Sequence, residues 1–475
     1  MRCLTLADAL STRGLKILFL CVEAPEHLLT MIRVKGYRTK ALASSATDLE
    51  DAQHTIDALK GEAVEWLVVD QYHLGQAWHL AVRSVAQYLL VIDDLANRML
   101  DADILLDQND FEDRASRYCG LVDPACLCLL GPRYALLQPA FGPLHAQPAQ
   151  LVDPPSVLVS FGGSDPARLT LPVVQALLSG LPVDVQFDVV VGALCEDAHA
   201  LQQLALIQPR VRCHIATTQM ATLMTKATIF VGAGGATTWE RVCLRLPSII
   251  VAVAPNQEAF NEELAMQGAQ CYLGPVHMLD LPTIVSSSAL LLGNSAWRQS
   301  MKRQLASKQV DGLGAQRVAS AMLTFNHAAA IQLRPACMDD AVDLHTWRNH
   351  PTVRQFAGDD QEIPFATHIR WLNTALVDKD CALLIASDDA GVLGVLRFDR
   401  TRSEATISIY LVPDRIGQGL GKHLLIAGER WLQTHWSDVS RLKANVRVDN
   451  LRSAKLFETA GYQATSQHFI KRLGG

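Results

Sequence analysis

The sequence predicts two doubly wound α/β halves followed by a smaller α+β domain. Three observations carry that prediction. Through residue 310, apolar runs of strand length alternate with helix-like segments, the pattern of parallel sheets wrapped by helices. Residues 139–155 interrupt it with prolines at 139, 143, 148, 154 and 155 and little periodicity, which reads as a linker and hinge. From about Ala328 the runs become antiparallel partners, with Asp388-Asp389-Ala390-Gly391 as a hairpin turn. The expected domains are residues 1–140, 141–310 and 331–475, with 311–330 as a second linker.

Taken in order, residues 3–13 place Leu4, Ala7 and Leu10 on one helical face, and Gly14 ends that helix. Strand runs follow at 16–22, 66–70, 88–93 and 104–106. The chain thus opens on a helix, whereas a doubly wound sheet normally starts with a strand whose loop reaches the ligand crevice. The second half has strand runs at 156–161, 187–191, 211–215, 227–231 and 249–253. In the last domain, strands at 331–335, 383–387, 392–398 and 405–411 combine with a helix at 340–350. A helix at 419–435, a strand at 443–448, a helix at 450–460 and a last strand near 467–472 complete it.

At 475 residues the chain exceeds one ordinary domain, and 49% hydrophobic with 19% charged residues describes a globular protein with ample core. A net charge of −6 gives no basic field for nucleic acid. No membrane span or signal peptide is readable, so a cytoplasmic protein with no membrane or nucleic-acid partner is expected. The eleven cysteines are scattered; Cys21, Cys128 and Cys243 lie in apolar runs and read as buried thiols. Cys126 and Cys128 form a C-x-C pair that strand alternation explains better than zinc, and no metal is expected.

The organising stretch is Ile229-Phe-Val-Gly-Ala-Gly-Gly-Ala-Thr-Thr-Trp-Glu240. A buried strand runs into Gly232, Gly234 and Gly235, Thr237 and Thr238 are placed to cap a helix from about Trp239, and Glu240 lies in its first turn. Such a turn suits a phosphate; alone, it reads equally as a tight strand-to-helix connection. A second glycine turn, Ser160-Phe-Gly-Gly-Ser-Asp165, ends an earlier strand at the same sheet edge, which favours a nucleotide diphosphate. Glu240 can accept both ribose hydroxyls, or simply complement the helix dipole. Asn256 and Gln257 offer neutral groups to a sugar or diphosphate, or a helix cap. In the first half Asp70-Gln-Tyr72 and Asp93-Asp94 close strands at the cleft edge. Tyr72 can orient water or a phosphate oxygen, or merely pack, and His73 and His79 are possible bases.

These residues resemble the UDP-sugar hydrolase family of the pseudaminic acid pathway, relatives of the GT-B glycosyltransferases. The resemblance covers residues 1–290 through Met1-Arg-Cys-Leu-Thr-Leu-Ala-Asp8, Val69-Asp-Gln-Tyr72, Ile92-Asp-Asp-Leu-Ala-Asn-Arg98, Leu130-Gly-Pro-Arg-Tyr134, Phe161-Gly-Gly-Ser-Asp165, Gly232 to Glu240, and Asn256-Gln257. It implies a GT-B-like pair of halves that hydrolyse UDP-2,4-diacetamido-2,4,6-trideoxy-β-L-altropyranose. Tyr72 and Asn256 match its reacting end. Arg133, Gly163, Ser164, Gly234, Gly235, Thr237, Glu240 and Gln257 match its UDP-sugar-binding positions. In the family a strand and a glycine-rich loop ending in the proposed base, a histidine, precede Met-Arg-Cys. As written, the chain is expected to bind a UDP-sugar better than it cleaves it, and a misplaced start is the simpler explanation.

Residues 331–475 carry a separate signal. Leu411-Val-Pro-Asp-Arg-Ile-Gly-Gln-Gly-Leu-Gly-Lys422 reads as a strand, a glycine loop and a helix start whose N–H groups can hold a pyrophosphate. With Asn450-Leu-Arg-Ser-Ala-Lys-Leu-Phe-Glu-Thr-Ala-Gly-Tyr462 it resembles the GNAT acetyltransferases. That resemblance implies acetyl-CoA as co-substrate, held by Leu411, Val412, Gly417, Gly419, Gly421, Lys422, Asn450 and Ser453. Arg334-Pro335 and Trp347-Arg-Asn349 resemble the branch acting on amino-sugar nucleotides or protein N-termini. The usual first Arg or Gln of the loop is Ile416, with Arg415 displaced by one, and the tyrosine often used as general acid is Phe457. Tyr410 and the N-terminal helices of this domain are replacements to consider.

Together the resemblances imply acetylation of the 4-amino group of a UDP-amino-sugar followed by UDP removal, two consecutive steps on one chain. A GT-B glycosyltransferase with an acetyltransferase domain, and an inactive UDP-sugar-binding half tethering an acetyltransferase, are the alternative expectations.

Overall fold

The computed structural model describes residues 1–114, 116–123, 126–147, 153–235, 237–356, 361–418, 420–447, 449–465 and 469–472. Pro148, Ala236, Gly419, Val448 and Gln467, which entered the expectations above, lie outside the described residues. The chain divides into two compact units. One comprises residues 1–114 and 128–319, the other residues 115–127 and 320–475.

In the first unit α1 (Arg2–Ser11) buries Leu4, Leu6, Ala7 and Leu10, the apolar face that its spacing predicts. Gly14 follows with φ +87° and turns the chain. Next come β1 (Leu18–Val22), α2 (Glu26–Val34), β2 (Arg38–Leu42), α3 (Asp48–Leu59), β3 (Val64–Val69), α4 (Gln76–Val82), β4 (Ala86–Ile92), β5 (Ile104–Asp107) and β6 (Leu127–Leu130). The expected single sheet is in two pieces: β1 pairs in parallel with β2, and a separate sheet has the order β3-β4-β5-β6. The pairings of β3 with β4 and β4 with β5 are parallel. β4 and β5 are almost wholly buried, whereas β1 is half-buried and Val22 exposed. Cys21 and Cys128 share that partial exposure, so of the three cysteines expected to be buried only Cys243 is.

The segment read as a hinge includes a helix, α5 (Phe141–His145). Phe141 is 1% exposed in the core of the second half, and His145 Nδ1 hydrogen-bonds the Cys243 carbonyl at 2.7 Å. Burial of one aromatic ring outweighs the breaking effect of the flanking prolines.

The second half contains β7 (Ser156–Ser160), α6 (Thr170–Gly180), β8 (Gln186–Val191), α7 (Ala198–Ile207), β9 (Val211–Ile215), α8 (Met220–Thr225), β10 (Ile229–Ala233), α9 (Thr238–Cys243), β11 (Ser248–Ala252), α10 (Glu258–Met266), β12 (Cys271–Pro275), α11 (Leu281–Gly293) and α12 (Ser295–Ser307). Its six strands are all parallel in the order β12-β11-β10-β7-β8-β9. The chain winds outward from β7 in one direction and from β10 in the other, so the order reverses between these two neighbours. In open α/β sheets the ligand crevice lies outside the strand ends at such a reversal. Gly232 is dictated by this packing, since a Cβ there would stand 1.9 Å from the Ser160 carbonyl oxygen on β7.

Residues 311–330, expected as a linker, contain α13 (Gly314–Ala330). Ala315, Val318, Ala319, Met322 and Phe325 are all buried, a helical apolar stripe that holds the segment in the folded structure.

The second unit contains β13 (Gln332–Pro335), α14 (Ala341–Asn349), α15 (Pro351–Arg354), α16 (Phe365–Val377), β14 (Cys381–Asp388), β15 (Gly391–Thr401), β16 (Glu404–Leu411), α17 (Gly421–His435), β17 (Arg441–Ala444), α18 (Leu451–Thr459), β18 (Gln463–Ala464) and β19 (Phe469–Arg472). One seven-stranded sheet has the order β13-β14-β15-β16-β17-β19-β18. Alternation buries both faces: Leu384 and Ala386 join a core with Leu424, Leu425 and Leu432 of α17, while Leu383 and Ile385 pack with Leu344 and Leu372 of α14 and α16. The predicted hairpin forms, with Asp388 opposite Gly391 and Gly391 at φ +107°. The β16–β17 pairing is parallel and ends at Ile407 opposite Ala444, although β16 runs on to Leu411.

Candidate functional site

The crevice of the second half is flanked by the two glycine turns predicted from sequence. After β7, Gly162 takes φ +106° and Gly163 and Ser164 are exposed. The Gly163 carbonyl accepts from the Gly192 N–H at 2.7 Å, joining the loops after β7 and β8. Asp165 is spent locally, accepting from the N–H groups of Leu169 and Thr170.

After β10, the turn is gripped by α10. Asn261, fully buried, donates to the Gly234 carbonyl at 2.9 Å and to the Gln257 carbonyl at 2.6 Å, and its Oδ1 accepts from Gln270 Nε2 at 2.9 Å. A Cβ on Gly234 would lie 2.1 Å from Asn261 Nδ2, so only glycine fits. Gln257 Oε1 accepts from the Val253 N–H, and its Nε2 lies 3.1 Å from where a Gly235 Cβ would stand. Asn256 is exposed beside it.

Thr237 and Thr238 do not cap α9. The backbone at Thr237 is already helical, at φ −77° and ψ −4°, and lacks the extended geometry that a capping side chain requires. Thr238 Oγ1 instead accepts from Arg241 Nη2 at 3.0 Å. Arg241 is fully buried over the Phe230 ring, and burial lowers its pKa to about 9. Glu240 is half-buried and its carboxylate has no hydrogen-bond partner among the described residues; burial pushes its pKa up to about 7.

In the first half the ends of β3, β4 and β5 assemble a second cluster. Tyr72 Oη donates to Asp94 Oδ2 at 3.3 Å, and Arg2 Nη1 lies 3.9 Å from the same oxygen. Arg2 also binds Asp70 with Nε 3.1 Å from each carboxylate oxygen. Burial raises the pKa of Asp94 above the usual carboxylate range, with Arg2 and Tyr72 opposing it. Burial would also raise Asp70, but the bonds and charge of Arg2 more than offset it and hold Asp70 low. The Tyr72 loop is braced by Arg98, which donates to the carbonyls of Leu74 and Gln71 and pairs with the buried Asp93 at 2.7 Å.

His79 is removed from the candidate bases. It is fully buried, Nδ1 accepts from the Asp101 N–H, and burial lowers its pKa to about 4. His73 is exposed. Arg133 is also exposed, with its guanidinium 5.3 Å from the Tyr134 ring centroid. Among the described residues, no direct bond ties Arg133, Gly163, Ser164 or Asn256 to the Tyr72–Asp94 cluster. A cavity of about 500 Å³ lined by Asp110, Phe111, Glu112, Arg114, Glu263, Met266 and Gln267 includes none of the residues proposed from sequence. Among the described residues no group of side chains is arranged to hold a metal ion, and no helix is long and apolar enough to cross a membrane.

Sequence reasoning passed over Asp94 as a partner of Tyr72, and missed Asn261 and Asn109. Asp94 was legible as a strand-end carboxylate; a buried asparagine on an amphipathic helix leaves no such trace.

In the second unit, Leu411 and Val412 sit where β16 outruns β17. Gly417 has φ +89° with open space around its Cα, and Gly421 and Lys422 open α17. Asn450 is the N-cap of α18, its Oδ1 accepting from the Ser453 N–H at 3.0 Å, so this oxygen serves the helix. Arg415 does not reach into the loop, because it forms a two-pronged ion pair with Asp388 at 3.0 and 2.5 Å. Phe457 is 3% exposed and packs edge-on against Tyr462. Tyr410 is enclosed against the α14–α16 side of the sheet, and burial pushes its pKa up.

The chain is 20% identical to an uncharacterized protein of Methanocaldococcus jannaschii, over 98% of this chain and 94% of that one. It is 28% identical to the spore coat polysaccharide biosynthesis protein SpsG of Bacillus subtilis, over 40% of this chain and 56% of that one. A solved spermidine N-acetyltransferase from Vibrio cholerae, in complex with CoA and spermine, overlaps 30% of this chain and 96% of that one at 14% identity and a TM-score of 0.29. Residues 331–463 match the acetyltransferase (GNAT) domain family. The match supports an acetyltransferase (GNAT) domain over these residues.

Proposed function

We propose that the chain is a bifunctional enzyme acting on a UDP-linked amino sugar, built as a GT-B-like pair (residues 1–140 and 141–310) followed by the acetyltransferase domain. The observation that carries the first activity is the β7–β10 crevice: two glycine turns flank it, and Glu240 stands beside it with its carboxylate bound to no group among the described residues. In this reading Gly163, Ser164, Gly234, Gly235, Thr237 and Gln257 hold the diphosphate, Glu240 accepts from the ribose hydroxyls, and Arg133 adds a positive charge. Tyr72, Asp94 and Asn256 meet the sugar. Water adds to the anomeric carbon, UDP leaves with the bonding electrons, and Asp94 takes the water proton. Asp94 is the carboxylate with a raised pKa beside Tyr72. The polysaccharide-biosynthesis relative supports a sugar as the substrate.

For the second activity, acetyl-CoA supplies the acetyl thioester. The residues fit it: the β16 edge beyond Ile407 is left by β17, and the space at Gly417 is open. Leu411, Val412, Gly417, Gly421, Lys422 and Ser453 hold it in this reading. The 4-amino group of the sugar attacks the thioester carbonyl, the C–S bond breaks, and the CoA thiolate leaves and takes up the proton that the amine sheds.

The test is to incubate the full chain with acetyl-CoA and the UDP-4-amino-sugar, following free thiol, UDP and free sugar. Thiol release, then UDP and free sugar without any acceptor, supports both steps. UDP release only with an added acceptor points to glycosyl transfer, and UDP-sugar binding without release reduces residues 1–310 to a binding half.

A further inference from the structure

Two clusters have been described separately, the glycine turn with Glu240 on the second half and Tyr72 with Asp94 on the first. One side chain joins them. Asn109, just past the end of β5, donates from Nδ2 to Asp94 Oδ2 at 3.2 Å. Its Oδ1 accepts from Trp239 Nε1 at 3.1 Å. Trp239 is the residue before Glu240, 3% exposed, with its ring 5.2 Å from that of Phe260. Asn109 is itself steadied, its own N–H donating to Asp107 Oδ1 at 2.9 Å.

The chemistry of the amide makes the link specific. A primary amide donates and accepts at once. Facing an indole N–H on one side and a carboxylate on the other, it satisfies both. An aspartate here would repel Asp94, and a leucine would leave the indole donor buried without an acceptor. Asp94 Oδ2 receives Asn109 and Tyr72 together, so the amide also fixes where the phenol points.

We propose that Asn109 is a positioning residue that couples the nucleotide grip to the reacting end: through Trp239 and Asp94 it sets Tyr72 in register with the turn at Gly234 and Gly235. This rests on the UDP-sugar reading above and adds a division of labour to it. Contacts to UDP do not pass through the bridge, whereas presentation of the sugar does.

The test uses Trp239→Phe, which keeps the ring and removes only the N–H, with Asn109→Leu and the double variant, all in the full chain. Thermal melts confirm folding. The expected result is a Kd for UDP within twofold of wild type, a kcat/KM for UDP-sugar hydrolysis at least tenfold lower in each variant, and a double variant no worse than Asn109→Leu. Should the wild type bind the UDP-sugar and not cleave it, the hydrolase reading fails. The intact UDP-sugar is then a stable ligand, and its Kd replaces kcat/KM: a rise of fivefold or more in both variants, with UDP unchanged, still supports the bridge. Losses for UDP and UDP-sugar in parallel, multiplicative losses in the double variant, or no loss in Trp239→Phe would overturn it. So would a wild-type chain that binds neither ligand.

Discussion

Glu240 links nucleotide binding to pH, and Glu240→Gln isolates that link. Ribose hydroxyls donate, so the carboxylate accepts them best when ionised. With its pKa raised to about 7, roughly half of unliganded molecules at pH 7 carry a proton there. Binding selects the ionised form, so the Kd of a UDP-sugar rises about tenfold between pH 8 and pH 6. A UDP-sugar is the right probe, because its diphosphate has no terminal phosphate titrating near pH 6. Calorimetry in buffers of different ionisation enthalpy reads both the affinity and the proton released. Glu240→Gln binds more weakly at pH 8 and loses the slope; any slope from Asp94 remains in both proteins. The same shift sets stability with a definite sign. A carboxyl whose folded pKa exceeds its unfolded value destabilises the fold as pH rises, with no effect below about 4 and a full cost of about 3 kcal/mol above about 7. Glu240→Gln therefore melts with wild type at pH 4 and above it at pH 8. A wild-type Kd that is flat from pH 6 to 8, or a slope in Glu240→Gln as steep as in wild type, refutes the assignment.

Other predictions concern geometry. Gly234→Ala drives a methyl into buried Asn261 and costs about 1–3 kcal/mol in urea unfolding, with UDP affinity lost in step; Gly163→Ala, with its nearest neighbour at 4.0 Å, leaves stability intact. Arg98→Ala takes the counter-ion from the buried Asp93 carboxylate, which keeps the N–H groups of Leu95 and Ala96, and chemical unfolding should show a loss of about 1–3 kcal/mol. Gly417→Ala places a side chain at φ +89°, with about 1 kcal/mol of strain. It raises the KM for acetyl-CoA while UDP binding, measured on the same protein, stays unchanged.

Strand ends and glycine turns are readable from sequence because short apolar runs and unhindered backbone are local properties. Gly232, Gly234 and Tyr72 sit at strand ends or in the turns that follow, and Glu240 in the first turn of α9, as the pattern predicts. What escapes is pairing across distance. Trp239 and Asn109 are 130 positions apart, and neither residue type at either position announces the other. Local signals also mislead where tertiary burial decides: Thr237 and Thr238 carry capping chemistry but the backbone is wrong for it, and prolines around 141–145 mask a helix anchored by Phe141. His79 looks titratable in sequence and is sealed in the core.

The division of the first sheet bears on which part of the molecule opens first. A two-stranded parallel pair contributes little stability by itself, so β1 and β2 are expected to exchange their amide protons well before β4 and β5. Their opening does not stop at the sheet. Asp8 of α1 is held by Lys35 and Tyr37 from the α2–β2 connection, and the same helix starts with Arg2 on Asp70 and near Asp94. When the small sheet breathes, α1 loosens and Arg2 withdraws its charge from Asp94. The affinity of Asp94 for a proton then rises, so amide exchange in 18–42 and proton uptake at Asp94 are two readings of one local unfolding event.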